Sequence, residues 1–388
     1  MRSEFLPYCR PYIEEDDIAA VTDTLSRGWL TTGPKVREFE QLFGAAAGVK
    51  HAVALNSCTA AIHLGFLALG AGEGDEIVMP SLSFVAGANC AVQIGAKPVF
   101  CDVDPETLCL SVETIERVVT PRTKIIMTMH YAGRPANAAP IVAWAKPRGI
   151  KVFEDAALAI GMLDDGQWSG TRADAAAYSF YATKNVTSAE GGMFLTNDDA
   201  LMERVRILAL HGMDRDAWKR YTSAGSWRYD IMEHGYKDNM PDLAAALGIS
   251  QLKKLDTMQR RRDEIAQRFI AGVEQIPGVS VGGLGKLGSK DRHSWCMFPI
   301  VVDEREAGVG RDQLIEDLKA KNIGTSVHYI PSHHFTAHKD LTADVPVTEE
   351  IWQRLISLPL FPSMSDADVT DVLEALRTSV PGKVSQAV

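Results

Sequence analysis

The chain has 388 residues, 46% of them hydrophobic and 23% charged, with a formal net charge of −10 and a pI near 5.5. That length suffices for one large unit and one smaller one, each burying its own core, and the composition excludes a disordered chain. The acidic balance speaks against a nucleic-acid or anionic-membrane surface and leaves small molecules as the expected partners.

The N-terminus carries charges inside its first twenty residues, where a signal peptide would need an uninterrupted apolar run, so no export is expected. Six cysteines at irregular spacings, without a C-x-x-C pair, indicate neither a disulfide framework nor a zinc site; no metal is expected, and a reducing cytoplasm fits best. The longest mainly apolar stretch, Ala60 to Ala71, is interrupted by His63 and is far shorter than the roughly 20 residues that span a bilayer, so it reads as a helix of a soluble protein.

In chain order, His51–Asn56, Glu76–Pro80, Pro98–Val103, Lys124–His130, Lys151–Glu154, Ala176–Tyr181 and Gly192–Thr196 read as strands. Most are nearly all apolar, as strands covered on both faces are, and the intervals leave room for crossover helices. The fold class is therefore α/β with a mostly parallel central sheet sandwiched by helices. From Leu243 a long helical pattern begins, followed by a strand over Ser294–Val302 and by alternating helix and strand. The expected division is a large α/β unit over residues 1–250 and a smaller α+β unit over residues 251–388, with the long helix bridging them.

Charge collects at the expected strand ends. Asp155, in VFEDAALAIG, ends an apolar run and precedes small residues, which places a carboxylate at the sheet edge where α/β proteins bind ligands. Lys184, in YSFYATKN, lies just beyond the strand expected at Ala176–Tyr181, before the SAEGG turn. Each has a plain alternative: Asp155 as a helix N-cap, Lys184 as a solvated loop lysine. A pyridoxal enzyme needs both, a lysine to form the Schiff base and a carboxylate to keep the pyridine nitrogen protonated. It also needs a phosphate cradle. LNSCTAAIHLG offers a strand end, a Ser57–Cys58–Thr59 turn and an Ala-rich helix whose N-terminal N–H groups favour an anion, although the same pattern would also serve a simple capped helix.

Taken in order, GWLTTGP (Gly28–Pro34), NSCTAA (Asn56–Ala61), GDEIVMPSLSFVA (Gly74–Ala86), PVFCDVD (Pro98–Asp104), EDAA (Glu154–Ala157), SFYATKN (Ser179–Asn185), EGG (Glu190–Gly192), GYKDNM (Gly235–Met240) and QLKKLD (Gln251–Asp256) resemble the DegT family of sugar aminotransferases over almost the whole chain. The resemblance implies a fold-type I enzyme using pyridoxal 5'-phosphate, with Lys184 as Schiff-base lysine and, once released, general base. Asp155 would pair with the pyridine nitrogen, and Phe84 would stack on the cofactor, its plain alternative being core packing. Ser57, Cys58 (through its backbone), Thr59 and Ser179 would bind the phosphate. Asn239 would reach the phosphate in the neighbouring subunit, implying a homodimer with shared active sites.

One departure stands beside Asp155: members usually carry Gln, His or Glu three residues on, where this chain has Leu158, which makes no polar contact. Retention of Lys184, which dehydrating relatives replace with His, favours transamination. Segments such as HYAGRPAN (His130–Asn137) and HGMDRDAW (His211–Trp218) look most like those of bacterial enzymes that aminate a UDP-linked 4-keto pentose with L-glutamate as donor, releasing 2-oxoglutarate. Arg228, Tyr236 and His328 are candidate sugar-nucleotide contacts; a satisfied histidine in the small unit is the alternative for His328. Other readings are amination of another keto compound such as a cyclitol, a pyridoxal lyase or desulfurase of the same fold, and a non-enzymatic regulator, the last disfavoured by the lack of a basic DNA-binding segment.

Overall fold

A computed structural model describes residues 2–214 and 229–382. Seven strands form the main sheet: β1 (His51–Leu55), β2 (Glu76–Pro80), β3 (Lys97–Cys101), β4 (Thr123–Met129), β5 (Lys151–Asp155), β6 (Ala175–Ser179) and β7 (Gly192–Thr196). Their order is β1-β7-β6-β5-β4-β2-β3. The pairs β2–β3, β2–β4, β4–β5 and β5–β6 are parallel, whereas β7 runs antiparallel to both β1 and β6. The mostly parallel α/β sheet expected from the apolar runs is therefore present, and β2, β6 and β7 are buried along their whole length, as strands covered on both faces must be.

Helices α1 (Glu15–Arg27), α2 (Pro34–Ala47), α3 (Cys58–Ala68), α4 (Ala86–Gln93), α5 (Val112–Glu116), α6 (Ala138–Ala145) and α7 (Asp199–Leu208) accompany the sheet. One core packs α3, α4 and α7 against it, with Leu64, Phe66, Phe153 and Phe194 fully buried. A second core sets α2 against the sheet through Phe39, Phe43, Tyr178 and Phe180, whose rings meet mainly tilted or edge to face.

The long helical pattern beginning near Leu243 is two helices, α8 (Asp242–Lys253) and α9 (Leu255–Val273). The break falls at Lys254, whose ammonium is held by Glu14, Asp16 and Asp17 of the α1 start. Beyond α9 come β8 (Val279–Val281), β9 (Phe298–Val302), α10 (Glu304–Ala307), α11 (Arg311–Ala320), α12 (Pro346–Trp352), β10 (Leu355–Leu358) and α13 (Asp366–Ser379). The three strands make a separate antiparallel sheet, β10-β9-β8, with a core built on Phe269, Phe298, Ile300, Leu314 and Val372. The strand expected from Ser294 starts only at Phe298. Ser294 donates its backbone N–H to Gly133 O, and Trp295 takes a left-handed φ of 47°, so the first half of that run is a loop against the main sheet unit. The N-terminus joins the second core as well: Leu6 pairs with Ile323 and is buried among its side chains.

Candidate functional site

The strand directions bring four chain segments to one edge of the main sheet. Gly192, first residue of the antiparallel β7, stands opposite both Leu55, the end of β1, and Ser179, the end of β6. Asp155 ends β5 beside Met129, the end of β4. A cavity of about 520 Å³ opens there, and its lining includes Ser57, Cys58, Thr59, Phe84, Asp155, Ser179, Lys184 and His328.

The turn after β1 is built by α3. Ser57 caps that helix, its hydroxyl accepting the Ala60 N–H at 3.1 Å and donating to Asn56 Oδ1 at 3.1 Å. The N–H groups of Cys58 and Thr59, at the first helical positions, have no carbonyl behind them in the helix and leave an anion-favouring end open. The plain capped-helix reading and the cradle reading thus hold together here, although the Ser57 proton is already committed to Asn56. The turn is packed from below: a Cβ on Gly192 would lie 2.3 Å from the Ser57 carbonyl, so only glycine fits. Ser179 Oγ accepts the Tyr181 N–H at 3.3 Å.

Asp155 is the last residue of β5 rather than a helix cap, and it is buried. Its carboxylate accepts the Ala157 N–H at 3.0 Å. Burial pushes its pKa up, opposed by that hydrogen bond and by the charges of Lys184 and His130. Behind it lies a closed network. His130 Nδ1 accepts the Ala136 N–H at 3.0 Å, so in the neutral ring the proton sits on Nε2, which meets Glu154 Oε1 at 3.1 Å and Ser169 Oγ at 2.8 Å. Glu154 Oε2 takes the Gly170 N–H.

Lys184 is half-buried and lines the cavity, so it is not a solvated loop lysine. Its ammonium has no hydrogen bond or ion pair among the described residues. Phe84 is 59% exposed in this chain, which excludes core packing; its ring stands 6.4 Å from that of Tyr329. His328 both lines the cavity and is satisfied, its Nδ1 at 2.9 Å from Ser357 Oγ. Burial, with the nearby Lys184 charge, lowers its pKa to about 4. Leu158 is buried on the cavity wall in one apolar cluster with Met129, Tyr131, Cys296 and Met297.

Two candidate residues are not brought into this cavity by one chain. Asn239 pairs with Leu55 at the end of β1, its amide donating to Thr32 Oγ1 at 2.6 Å, and Tyr236 is exposed with its ring edge-on to His63. Arg228 lies outside the described residues, as does most of His211–Trp218. Sequence reasoning missed Tyr8, Cys296 and Tyr329 as cavity residues. Only Tyr329 had a signal, an aromatic ring next to His328.

A buried carboxylate with one backbone partner, an unpaired lysine and an open helix N-terminus face one cavity, and this donor set fits the cationic ring, the aldehyde and the phosphate of pyridoxal phosphate. The comparisons agree. The chain matches the DegT/DnrJ/EryC1/StrS aminotransferase family over residues 11–377. It is 47% identical over 386 residues to the spore coat polysaccharide biosynthesis protein SpsC of Bacillus subtilis (strain 168), covering 98% of each chain. Among solved structures it resembles the putative sugar aminotransferase Spr1654 of Streptococcus pneumoniae in its PLP form (TM-score 0.88, 30% identity, 97% of this chain and 98% of that one). It also resembles DesI solved with its TDP-sugar product (TM-score 0.86, 30% identity, 98% and 94%).

Proposed function

Because this chain belongs to the DegT/DnrJ/EryC1/StrS aminotransferase family, it is a pyridoxal-phosphate-dependent aminotransferase of fold type I, and we propose that it aminates a nucleotide-linked keto sugar with L-glutamate as donor. The observation that carries this reading is the convergence of Lys184, Asp155 and the Ser57–Thr59 turn on one cavity. The TDP-sugar product of DesI supports a nucleotide sugar; a UDP-linked 4-keto pentose is the finer reading, taken from the sequence segments.

When bound, pyridoxal phosphate supplies an electron sink and carries the amino group from donor to acceptor. In this reading Asp155 holds the cationic ring nitrogen. Its burial makes an uncompensated carboxylate costly, so a cation there relieves the penalty that raises its pKa. Glu154, His130 and Ser169 fix the end of β5 and so aim that carboxylate. Cys58 and Thr59 present backbone N–H groups to the phosphate, joined by the hydroxyls of Thr59 and Ser179 and by Ser57 once its proton turns from Asn56. Phe84, exposed on the cavity wall, would help to hold the ring. Lys184, without a partner among the described residues, would hold the cofactor and would serve as the base that moves a proton at the substrate carbon.

Leu158, Met129 and Met297 form an apolar wall that keeps water from part of the site. His328 and Tyr236 are proposed sugar-nucleotide contacts, together with Arg228. Asn239, beside the end of β1 but outside the cavity of its own chain, is proposed to serve the site of a second copy, which makes the proposed working form a homodimer, with a cytoplasmic location proposed alongside it. Residues 1–250 and 251–388 are proposed as its large and small units.

The test is the absorbance of the purified protein before and after L-glutamate, beside Lys184→Ala. We expect a visible cofactor band that glutamate shifts and that the variant lacks. A wild-type protein with no band after incubation with pyridoxal phosphate sinks the cofactor reading, and a band indifferent to glutamate sinks the donor. A panel of UDP- and TDP-linked keto sugars, with a keto cyclitol, then decides the acceptor.

A further inference from the structure

Apart from the cavity, His333, His334 and Glu349 bring three donor atoms within 4.8 Å of one another. Cysteine spacing pointed to no zinc site, and these residues are invisible to it, because fifteen or more positions separate the histidines from the acid. His333 Nε2 and His334 Nε2 each lie 2.7 Å from the same oxygen, Glu349 Oε1. The two rings stand at 87° to one another, with centroids 4.5 Å apart, so their nitrogens approach that oxygen from different directions.

Each donor is oriented by a further group. Ser81 Oγ meets His333 Nδ1 at 2.6 Å, Trp352 Nε1 donates to Glu349 Oε2 at 3.3 Å, and the Trp352 ring stands edge-on to His334 at 5.2 Å. Such outer partners set the tautomer and direction of metal-bound imidazole and carboxylate. Two imidazoles and one carboxylate, with a side open to water, is a ligand set that suits Zn²⁺ and its neighbours rather than Mg²⁺ or Ca²⁺.

We infer that His333 Nε2, His334 Nε2 and Glu349 Oε1 form a site for one divalent transition-metal ion, water completing its shell. Without metal, Glu349 Oε1 stands 2.7 Å from both Nε2 atoms and Ser81 Oγ faces His333 Nδ1. With the ion on both Nε2 atoms, Ser81 Oγ would serve as the outer partner of His333 Nδ1. Ligand atoms about 2.0–2.1 Å from a tetrahedral ion stand roughly 3.3 Å apart, so Glu349 must draw back by about 0.6 Å. Its side chain is 40% exposed and that of His334 31%, which gives both the freedom to do so.

The ion would act as a staple. Glu349 belongs to α12, whose N-terminus is already capped by the buried Asp102: the carboxylate accepts from Val347 N at 2.9 Å and from Thr348 N at 2.8 Å. His333 follows Ser332, which bonds Ser81 O through its N–H at 2.8 Å and Ser83 O through its hydroxyl at 3.2 Å. The site thus fastens α12 to the segment lying over the Ser81–Phe84 turn.

The test titrates Zn²⁺ alone into the full-length, tag-free protein, loaded with pyridoxal phosphate and freed of metal by a chelator, with a chromophoric chelator in competition. Wild type is compared with His334→Gln and Glu349→Gln, both at partly exposed positions and outside the catalytic cavity; circular dichroism and cofactor content verify that each is folded. The expected result is one more zinc equivalent per wild-type chain than in either variant, with a Tm that rises with the logarithm of free Zn²⁺ and is insensitive to Mg²⁺. Equal stoichiometry and equal thermal shifts in all three proteins, or a response to Mg²⁺ like that to Zn²⁺, would overturn the site.

Discussion

At His328, burial beside Lys184 brings the imidazole from an ordinary pKa of 6.5 to about 4. Between those values the unfolded chain carries a proton that the folded chain refuses, so stability rises with pH across that window and is lost as the solution is acidified from about 6.5 toward 4. At one pKa unit per 1.36 kcal/mol the ceiling on the loss lies between about 3 and 4 kcal/mol. His328→Gln, which has no such proton to take up, should flatten this part of the curve of urea midpoint against pH. A slope equal to that of wild type would mean the imidazole is protonated as readily folded as unfolded. At this scale much of the cavity was legible: Asp155, Lys184 and the Ser57 turn follow apolar strands, and a strand end is where a local pattern fixes position. Tyr8 and Cys296 were not legible, because they reach the cavity from irregular segments far apart in the chain, where no periodicity reports a neighbour.

Among the elements, the turn between β1 and α3 depends on a residue of another strand. Gly192→Ala would put a methyl carbon 2.3 Å from the Ser57 carbonyl and 2.5 Å from Cys58 N, and backbone cannot retreat as a side chain can. We expect the displaced turn to weaken pyridoxal-phosphate binding by about tenfold or more, equivalent to roughly 1.4 kcal/mol, with the circular dichroism spectrum kept. Unchanged affinity in an equilibrium titration would separate the turn from phosphate binding. The seven strands of the main sheet were readable to within two residues because their apolar runs are bounded by Gly, Pro and Asp. The antiparallel sense of β7 was not, since a fully buried strand looks alike in either direction. The break at Lys254 was hidden for a different reason: helical periodicity continues through it, and the three carboxylates that hold its ammonium, Glu14, Asp16 and Asp17, lie far away in sequence.

At the scale of the whole molecule, the proposed sharing of sites between two copies has a sharp consequence. Lys184→Ala and Asn239→Ala chains, each weak alone, should complement when mixed. Random pairing makes half the dimers mixed, and each mixed dimer holds one site with both residues intact, so activity should recover to about a quarter of wild type. No recovery after subunit exchange, with sedimentation showing mixed dimers, would return Asn239 to a role within its own chain. The dimer was legible only through resemblance; in the single chain its trace is that Asn239 stands next to the strand leading into the cavity without entering it.

The pairing of Leu6 with Ile323 sets a timetable for the newborn chain. Leu6 is synthesised well before the core that receives it, with Ile323, Phe298 and Val372, and Arg2 well before Asp368 and Asp371. The segment around Leu6 must therefore stay unsatisfied until those later residues have been made, and it cannot dock before them. A bulky domain fused close before Leu6 would burden that docking step.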